Sequence, residues 1–229
     1  MIDWHSHVLP QIDDGSQSLE ETLKLLNILS SQGVTAVIAT PHFYANDESV
    51  ETFLKRRRES YESLCGALSN DMPKILLGAE VSYYSGISRM EGLSKLCIEG
   101  TRLLLLEMPF ARWTDHTVRE LKELAAQGDV TVILAHIERY IDMQGEEVFD
   151  ELAEYGVIMQ VNSNFFNRAS TKRKALKLLK RGVIQLIGSD THSVKLRPPT
   201  LGDAYNIIEK KFGNNLLLEI KEYGRCLLD

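Results

Sequence analysis

Gly128-Asp129-Val130-Thr131-Val132-Ile133-Leu134-Ala135-His136 is the stretch that decides the fold. A glycine at its start marks the left-handed end of a helix, a conformation that costs a residue without Cβ little. After Asp129 comes a Val-rich run from Val130 to Ala135, apolar but for Thr131, and it stops at a histidine. Three other segments repeat the design: Gly33 before residues 34–40, Gly156 before 157–161, and Gly182 before 183–187. Strands that are apolar throughout, rather than alternating, suit a parallel sheet covered on both faces by crossover helices. Adding residues 2–4, 74–79 and 101–106 gives seven strands separated by helical stretches. In the first helix Leu19, Leu23, Leu26 and Leu29 form an apolar stripe, with Ser18 and Glu21 placed as a capping box. The expectation is one α/β domain over residues 1–229, a distorted seven-stranded (βα)7 barrel of TIM-like design.

In a parallel barrel all strand C-termini reach one rim, where residues distant in sequence converge. Five of the six histidines fall where a strand stops. His5 and His7 are two apart, so on an extended segment both rings face one side. Asp14 follows them, and His42 comes after Thr40-Pro41. Glu80, Glu107 and His136 end the third, fourth and fifth strands, and Asp190 with His192 ends the seventh. Imidazole and carboxylate are the side chains that bind divalent ions, and one ion takes about four to six donors. Nine candidates therefore suit two or three ions, with a carboxylate such as Glu80 bridging. Manganese is the first expectation, and iron and zinc also match this donor set.

Composition narrows the function classes. The chain carries a net charge of −6 and a pI near 5.6, which disfavours nucleic-acid binding. It has no apolar stretch of membrane length and no leader pattern, as expected of a cytoplasmic enzyme. Cys65, Cys97 and Cys226 are odd in number and widely spaced, which reads as free thiols. A thiol phosphatase needs an arginine six residues after its cysteine; Asp71 and Leu103 stand there instead, and Cys226 is too near the end. No GxxxxGK[ST] loop cradles a nucleotide. Hydrolysis by a metal-bound hydroxide is the chemistry left.

Asp3-Trp4-His5-Ser6-His7, Ile12-Asp13-Asp14-Gly15, Thr40-Pro41-His42, Gly78-Ala79-Glu80, Ala135-His136-Ile137-Glu138-Arg139-Tyr140, Ser189-Asp190-Thr191-His192 and Arg197-Pro198-Pro199 occur in this order. Together they resemble the PHP (polymerase and histidinol phosphatase) superfamily. Within it the likeness is to the CpsB/YwqE-type protein-tyrosine phosphatases of bacterial capsule and exopolysaccharide systems. The resemblance implies a trinuclear centre at the C-terminal rim: His5, His7, Glu80 and Asp190 on one metal, Glu80, Glu107 and His136 on a second, Asp14, His42 and His192 on a third. It also implies a phosphotyrosine protein as substrate, the tyrosine-rich tail of a bacterial tyrosine kinase. Alternatives are a small-molecule phosphoesterase such as a histidinol-phosphatase, and a non-catalytic metal-binding module, against which the complete ligand set argues.

Arg139 and Arg197 lie three and five residues beyond rim ligands and are the candidate phosphate anchors. A guanidinium matches phosphoryl oxygens bidentately where an ammonium does not. Asp3 is open to two readings, orienting an imidazole or making a structural hydrogen bond. His116 is read as a surface residue with a proton-donor role as the lesser reading. The basic runs 55–58 and 172–181 are read as solvated helix faces. Phe43, Tyr44, Tyr83, Tyr84 and Phe110 follow rim ligands and are candidates to wall an aromatic pocket.

Overall fold

Gly33, Gly128, Gly156 and Gly182 all adopt φ between 77° and 82°, so each expected helix-to-strand junction is formed. The structure, a computed structural model, describes residues 1–228. The strands are β1 (Ile2–Ser6), β2 (Ala36–Ala39), β3 (His42–Phe43), β4 (Lys74–Leu77), β5 (Glu80–Ser82), β6 (Leu103–Glu107), β7 (Thr131–Leu134), β8 (Ile158–Asn162) and β9 (Leu186–Gly188). The helices are α1 (Leu19–Ser31), α2 (Val50–Cys65), α3 (Asp115–Gln127), α4 (Ile141–Gln144), α5 (Glu146–Glu154), α6 (Asn164–Asn167), α7 (Lys172–Lys180), α8 (Leu201–Phe212) and α9 (Asn214–Cys226). Between β5 and β6 stand only two short 3-10 turns, Ile87–Arg89 and Leu93–Leu96, in place of the expected helix. Each begins after a glycine with positive φ, Gly86 and Gly92, which keeps the segment too broken for an α-helix.

Nine strands stand where seven are expected, because two short ones, β3 and β5, follow just beyond the expected ends of the second and third. Thr40-Pro41 separates β2 from β3, and Gly78-Ala79 separates β4 from β5. The result is a three-stranded sheet, β1-β2-β4, and a six-stranded sheet, β3-β5-β6-β7-β8-β9, with every pairing parallel. Backbone bonds cross the breaks, from Gly78 N to Ala39 O (2.8 Å) and from Glu80 N to Pro41 O (3.0 Å). The last strand returns to the first: Asp190 N donates to His5 O at 2.7 Å and His7 N to Thr191 O at 2.9 Å.

Burial on both faces explains the continuous apolar runs. Trp4, Ile38, Leu105, Ile133, Ile158 and Leu186, drawn from both sheets, form one cluster. Their alternate neighbours, such as Val37, Leu104, Val132, Met159 and Ile187, pack into a second and larger one with the helices. The face that α1 buries differs from the expected stripe: Thr22, Leu25, Leu26 and Leu29 are buried and Leu19 is 39% exposed. The capping box is half formed. Ser18 Oγ accepts from Glu21 N (3.1 Å), but the Glu21 carboxylate turns to Gln17 N and Val194 N.

Where β9 meets β1 there is no room for a side chain. A Cβ on Gly188 would lie 2.5 Å from His5 Cβ and 2.8 Å from His5 N, well inside van der Waals contact. Gly188→Ala is therefore expected to destabilise by about 1–3 kcal/mol, the usual cost of overpacking. Urea unfolding measures it, and an unchanged midpoint would show that the seam yields easily.

Candidate metal centre

All nine candidate ligands converge on one end of the sheets. Four groups of potential donors lie within 4.8 Å of one another: His7, Asp14, His42 and His192; His5, His7 and Asp190; His5, Glu80 and His136; His42, Glu80 and Glu107. His5, His7, His42 and Glu80 each belong to two groups, as expected where neighbouring ions share ligands. The grouping departs from the expected one in detail. His7 joins Asp14, His42 and His192, while His42 stands with Glu80 and Glu107. His136 Nε2 lies 2.8 Å from Glu80 Oε1 and 3.4 Å from Glu107 Oε1, so that expected trio is also close.

Backbone geometry aims two of these side chains. His136 and Asp190, each just past a strand end, have φ of 35° and 52°. A side chain in this region is strained by on the order of 1–3 kcal/mol, which surrounding contacts must offset. They do so locally: His136 N donates to Gln160 Oε1 (2.7 Å) and Asp190 N to His5 O.

Outer partners fix which nitrogen of each imidazole faces inward. Asp13 Oδ2 accepts from His7 Nδ1 at 2.7 Å, and Asp190 O accepts from His192 Nδ1 at 3.0 Å. Gln160 Oε1 lies 3.5 Å from His5 Nδ1, and the Tyr140 hydroxyl 3.2 Å from His136 Nδ1. The Nε2 atoms of His5 and His7 are left 3.1 Å apart and point at one place, 3.1 and 3.2 Å from Glu80 Oε2. His42 Nδ1 is buried without a hydrogen bond, although Glu80 Oε2 is only 3.1 Å away. A convergent set of inward nitrogens with an orphaned donor among carboxylates fits divalent cations.

The charges agree with that reading. Burial works against the Glu80 carboxylate, but the surrounding imidazoles of His5, His136 and His42 outweigh it and hold the acid well below its usual range. Burial pulls the His7 and His136 pKa values down, yet hydrogen bonds to Asp13 and Glu80 raise His7 to about 10, and Glu107 and Glu80 raise His136 to about 9. His192 goes the other way, to about 4, through burial and the charge of His7. Its Nε2 accordingly accepts from Arg197 Nη1 at 2.9 Å, a guanidinium standing beside a nitrogen suited to a metal.

Asp13 was not singled out from the sequence, where Asp14 beside it reads as the ligand. Only the fold shows Asp13 turned inward on His7 Nδ1 and His42 N, with Asp14 largely exposed 3.4–3.5 Å from His42 and His192. Asp3 makes the structural bonds, accepting from Ser189 N (2.7 Å) and Ser189 Oγ (2.6 Å). His116 is exposed on α3 and contacts Ser85 Oγ at 3.3 Å, apart from the cluster. Of the aromatics, Tyr44 stacks on His42 at 5.5 Å, but Phe43 is buried against Phe53 and Tyr83 donates to Glu120, so no five-residue pocket wall forms. Within the run 55–58, Arg57 is not solvated: it is 7% exposed, with Nη1 donating to Gly78 O at 2.6 Å.

Two outcomes test the centre. Reconstitution followed by elemental analysis is expected to give two to three divalent ions per chain, and fewer than two would overturn a multinuclear site. Raised imidazole pKa values stabilise the metal-free fold at pH below about 6.5, and that contribution is lost as pH rises through 9 to 10. Metal binding displaces those protons. Metal-stripped protein should thus lose thermal stability between pH 7 and 10 more steeply than loaded protein, as read by calorimetry; parallel curves would refute it.

The comparisons with known proteins point the same way. A family model described as capsular polysaccharide synthesis, CpsB/CapC, matches residues 1–223. Tyrosine-protein phosphatase CpsB of Streptococcus pneumoniae is 31% identical over 229 aligned residues, covering 93% of this chain and 91% of that protein. Tyrosine-protein phosphatase YwqE of Bacillus subtilis is 29% identical, covering 100% of this chain and 91% of that protein. A crystal structure from work on YwqE and CpsB, described as unique metal-dependent tyrosine phosphatases, superposes with a TM-score of 0.86 at 24% identity, over 100% of this chain and 94% of that one. The phosphotriesterase homology protein of Escherichia coli, with phosphate in its active site, shares the fold more distantly, at a TM-score of 0.58 and 12% identity, over 100% of this chain and 98% of that one. With its matched residues spanning nearly the whole sequence and its rim residues in place, the chain belongs to the CpsB/CapC family of capsular polysaccharide synthesis.

Proposed function

We propose that this chain is a metal-dependent protein-tyrosine phosphatase acting on the tyrosine-rich tail of a bacterial tyrosine kinase that governs capsule or exopolysaccharide synthesis. The observation that carries the reading is the pairing of two arginines with a ligand-rich rim. Asp190 turns Oδ1 toward His5 and His7 (3.7 and 3.5 Å), while its Oδ2 accepts from Arg139 Nη2 (3.0 Å), Arg197 Nη2 (2.5 Å) and Asn162 Nδ2 (2.7 Å). Arg139 also reaches Glu107 at 3.2 Å. Both guanidiniums are half-exposed and line a cavity of ≈360 Å³ with Asn162, Asn164 and Phe165.

In this reading residues 1–229 form one phosphoesterase domain, and the two sheets are parts of one distorted seven-stranded barrel. His5, His7, Asp14, His42, Glu80, Glu107, His136, Asp190 and His192 would hold two or three divalent ions, manganese first among them. Such ions supply Lewis acidity, lowering the pKa of water and neutralising charge on phosphoryl oxygens. Arg139 and Arg197 bind the phosphoryl oxygens and meet the charge that spreads over them. Asp190 and Glu107 hold both guanidiniums beside the ligands before substrate arrives, so little ordering remains at binding. No carboxyl or imidazole outside the ligand set is required as a strong acid, because a phenol of pKa about 10 leaves as its anion far more readily than an alkyl alcohol. A cytoplasmic location belongs to the same reading and accords with three free thiols. Burial pushes the Cys97 thiol up to about 11, far from a nucleophile's range. No helix among the described residues is long and apolar enough to cross a membrane.

Arg139→Ala is expected to lower kcat/KM for a phosphotyrosyl peptide by on the order of 10²-fold with metal content unchanged, and Arg139→Lys to recover only part. A loss of metal along with activity would reassign Arg139 to holding the centre together. Replacing Cys65, Cys97 and Cys226 together by serine should leave turnover within a few-fold, and a folded but dead triple variant would overturn the thiol-free mechanism. In phosphate release from a panel of esters, phosphotyrosyl peptides should far exceed phosphoseryl ones. Histidinol phosphate outperforming both would make this a small-molecule phosphatase.

A further inference from the structure

Seven cations crowd the segment from Arg168 to Arg181 in a chain whose net charge is −6. Three are neutralised: Lys174 by Asp142, Lys177 by Glu146, and Arg181 by Glu146 and Asp150. Arg168, Lys172, Arg173 and Lys180 make no ion pair among the described residues, and neither does Lys211 near the end of α8. From the sequence this run is a solvated helix face, but the fold gives it a shape that such a face lacks. α7 and the end of α8 enclose a groove of ≈640 Å³ lined by Lys172, Arg173, Leu176, Lys180, Lys211 and Phe212. Leu176 and Phe212 are partly buried against the core and supply an apolar floor between cationic walls.

The groove also has a position. The cavity beside Arg139 and Arg197 extends to Arg168 and Thr171, and the groove begins at the adjoining Ala169 and Lys172. A chain whose phosphorylated side chain sits between the two arginines thus leaves along a path edged by Arg168 and then α7. Nine residues make α7 about 13 Å long, the reach of about four residues of extended peptide. Like charges brought together around an apolar floor repel one another unless a partner of opposite sign covers them.

We propose that this groove docks an acidic segment of the substrate phosphoprotein next to its phosphotyrosine, an inference that rests on the phosphatase reading of the neighbouring site. Its cations recognise anionic groups, carboxylate or a second phosphate, and its floor takes one apolar side chain. Arg168 links the two sites.

The test compares three substrates for the metal-loaded enzyme: an aryl phosphate, a phosphotyrosyl peptide with about six neutral residues on each side, and the same peptide with acidic flanks. The acidic peptide should show kcat/KM on the order of tenfold above the neutral one at low salt, through KM, and the advantage should shrink at high salt. The combined variant Lys172→Gln, Arg173→Gln, Lys180→Gln and Lys211→Gln should erase that advantage while leaving kcat and aryl phosphate hydrolysis unchanged. Carboxylate-rich flanks against flanks bearing a second phosphotyrosine separate the two anion sources. Equal kcat/KM for the acidic and neutral peptides overturns the proposal, as does an advantage that survives in the variant. Binding to phosphatidylglycerol vesicles without any peptide preference would make the groove a lipid contact and overturn it too. If none of the substrates is hydrolysed, the phosphatase reading has failed by itself. Fluorescence anisotropy with an unphosphorylated acidic peptide then decides docking, and no difference between wild type and variant overturns it.

Discussion

Glu80 and Asp190 are buried carboxylates, 1% and 4% exposed, held at the mouth of a parallel α/β structure. A charge taken out of water must find partners or lose its proton, since an unpaired buried ion costs several kcal/mol or more. The surrounding architecture answers that constraint. Four imidazoles lie within 3.2 Å of Glu80, one of them against Oε1 and the other three against Oε2. Asp190 is met by imidazoles on one oxygen and by two guanidiniums and an amide on the other. Imidazoles and two arginines satisfy these acids, and divalent ions would satisfy the same atoms more strongly.

Bringing these groups together depends on the seam between the end of β9 and β1. Gly188 lets β9 lie against His5, Asp3 clamps Ser189 through its backbone and hydroxyl, and Asp190 N and His7 N complete the backbone pairing. The left-handed backbone at His136 and Asp190 belongs to the same design, because each follows a buried strand and must turn its side chain sharply over the strand ends. Strain placed at these turns orients both side chains in advance, so an ion bound there would leave less ordering to the binding step.

Arg139 and Arg197 join the candidate centre to the cavity beside it. Since Asp190 Oδ2 is shared by Arg139 and Arg197 while its Oδ1 faces His5 and His7, a change at the imidazoles reaches the guanidiniums through the same group. This coupling is short and direct, one carboxylate wide. Beyond it the surface changes sign: in an acidic protein, Lys172, Arg173 and Lys180 of α7, with Arg168 before it and Lys211 on α8, form a patch of cations without ion pairs among the described residues that starts at the edge of that cavity.

Local chemistry made much of this legible from the chain alone. Glycine before a β-branched run announces a helix end and a strand, because only that residue turns so cheaply and only such a run fills a two-sided core. Histidine or a carboxylate at nearly every strand end announces the site, because parallel strands share a rim. Those two rules reach most of the nine candidate ligands, and Asp14, Arg139 and Arg197 follow from their nearness in sequence to residues so found. What they do not reach depends on which atoms meet. Beyond Pro41 and Ala79 the chain forms two further short strands, giving nine where seven runs are read. The buried face of α1 is rotated from the expected stripe, since Thr22 finds Val8 O and Ser16 Oγ as partners inside the protein. Asp13 rather than Asp14 orients His7, although the two are adjacent and chemically alike, because loop geometry turns one inward. Residue type and spacing determine which groups can bind, whereas three-dimensional packing decides the partner of each atom, and hence its proton and its orientation.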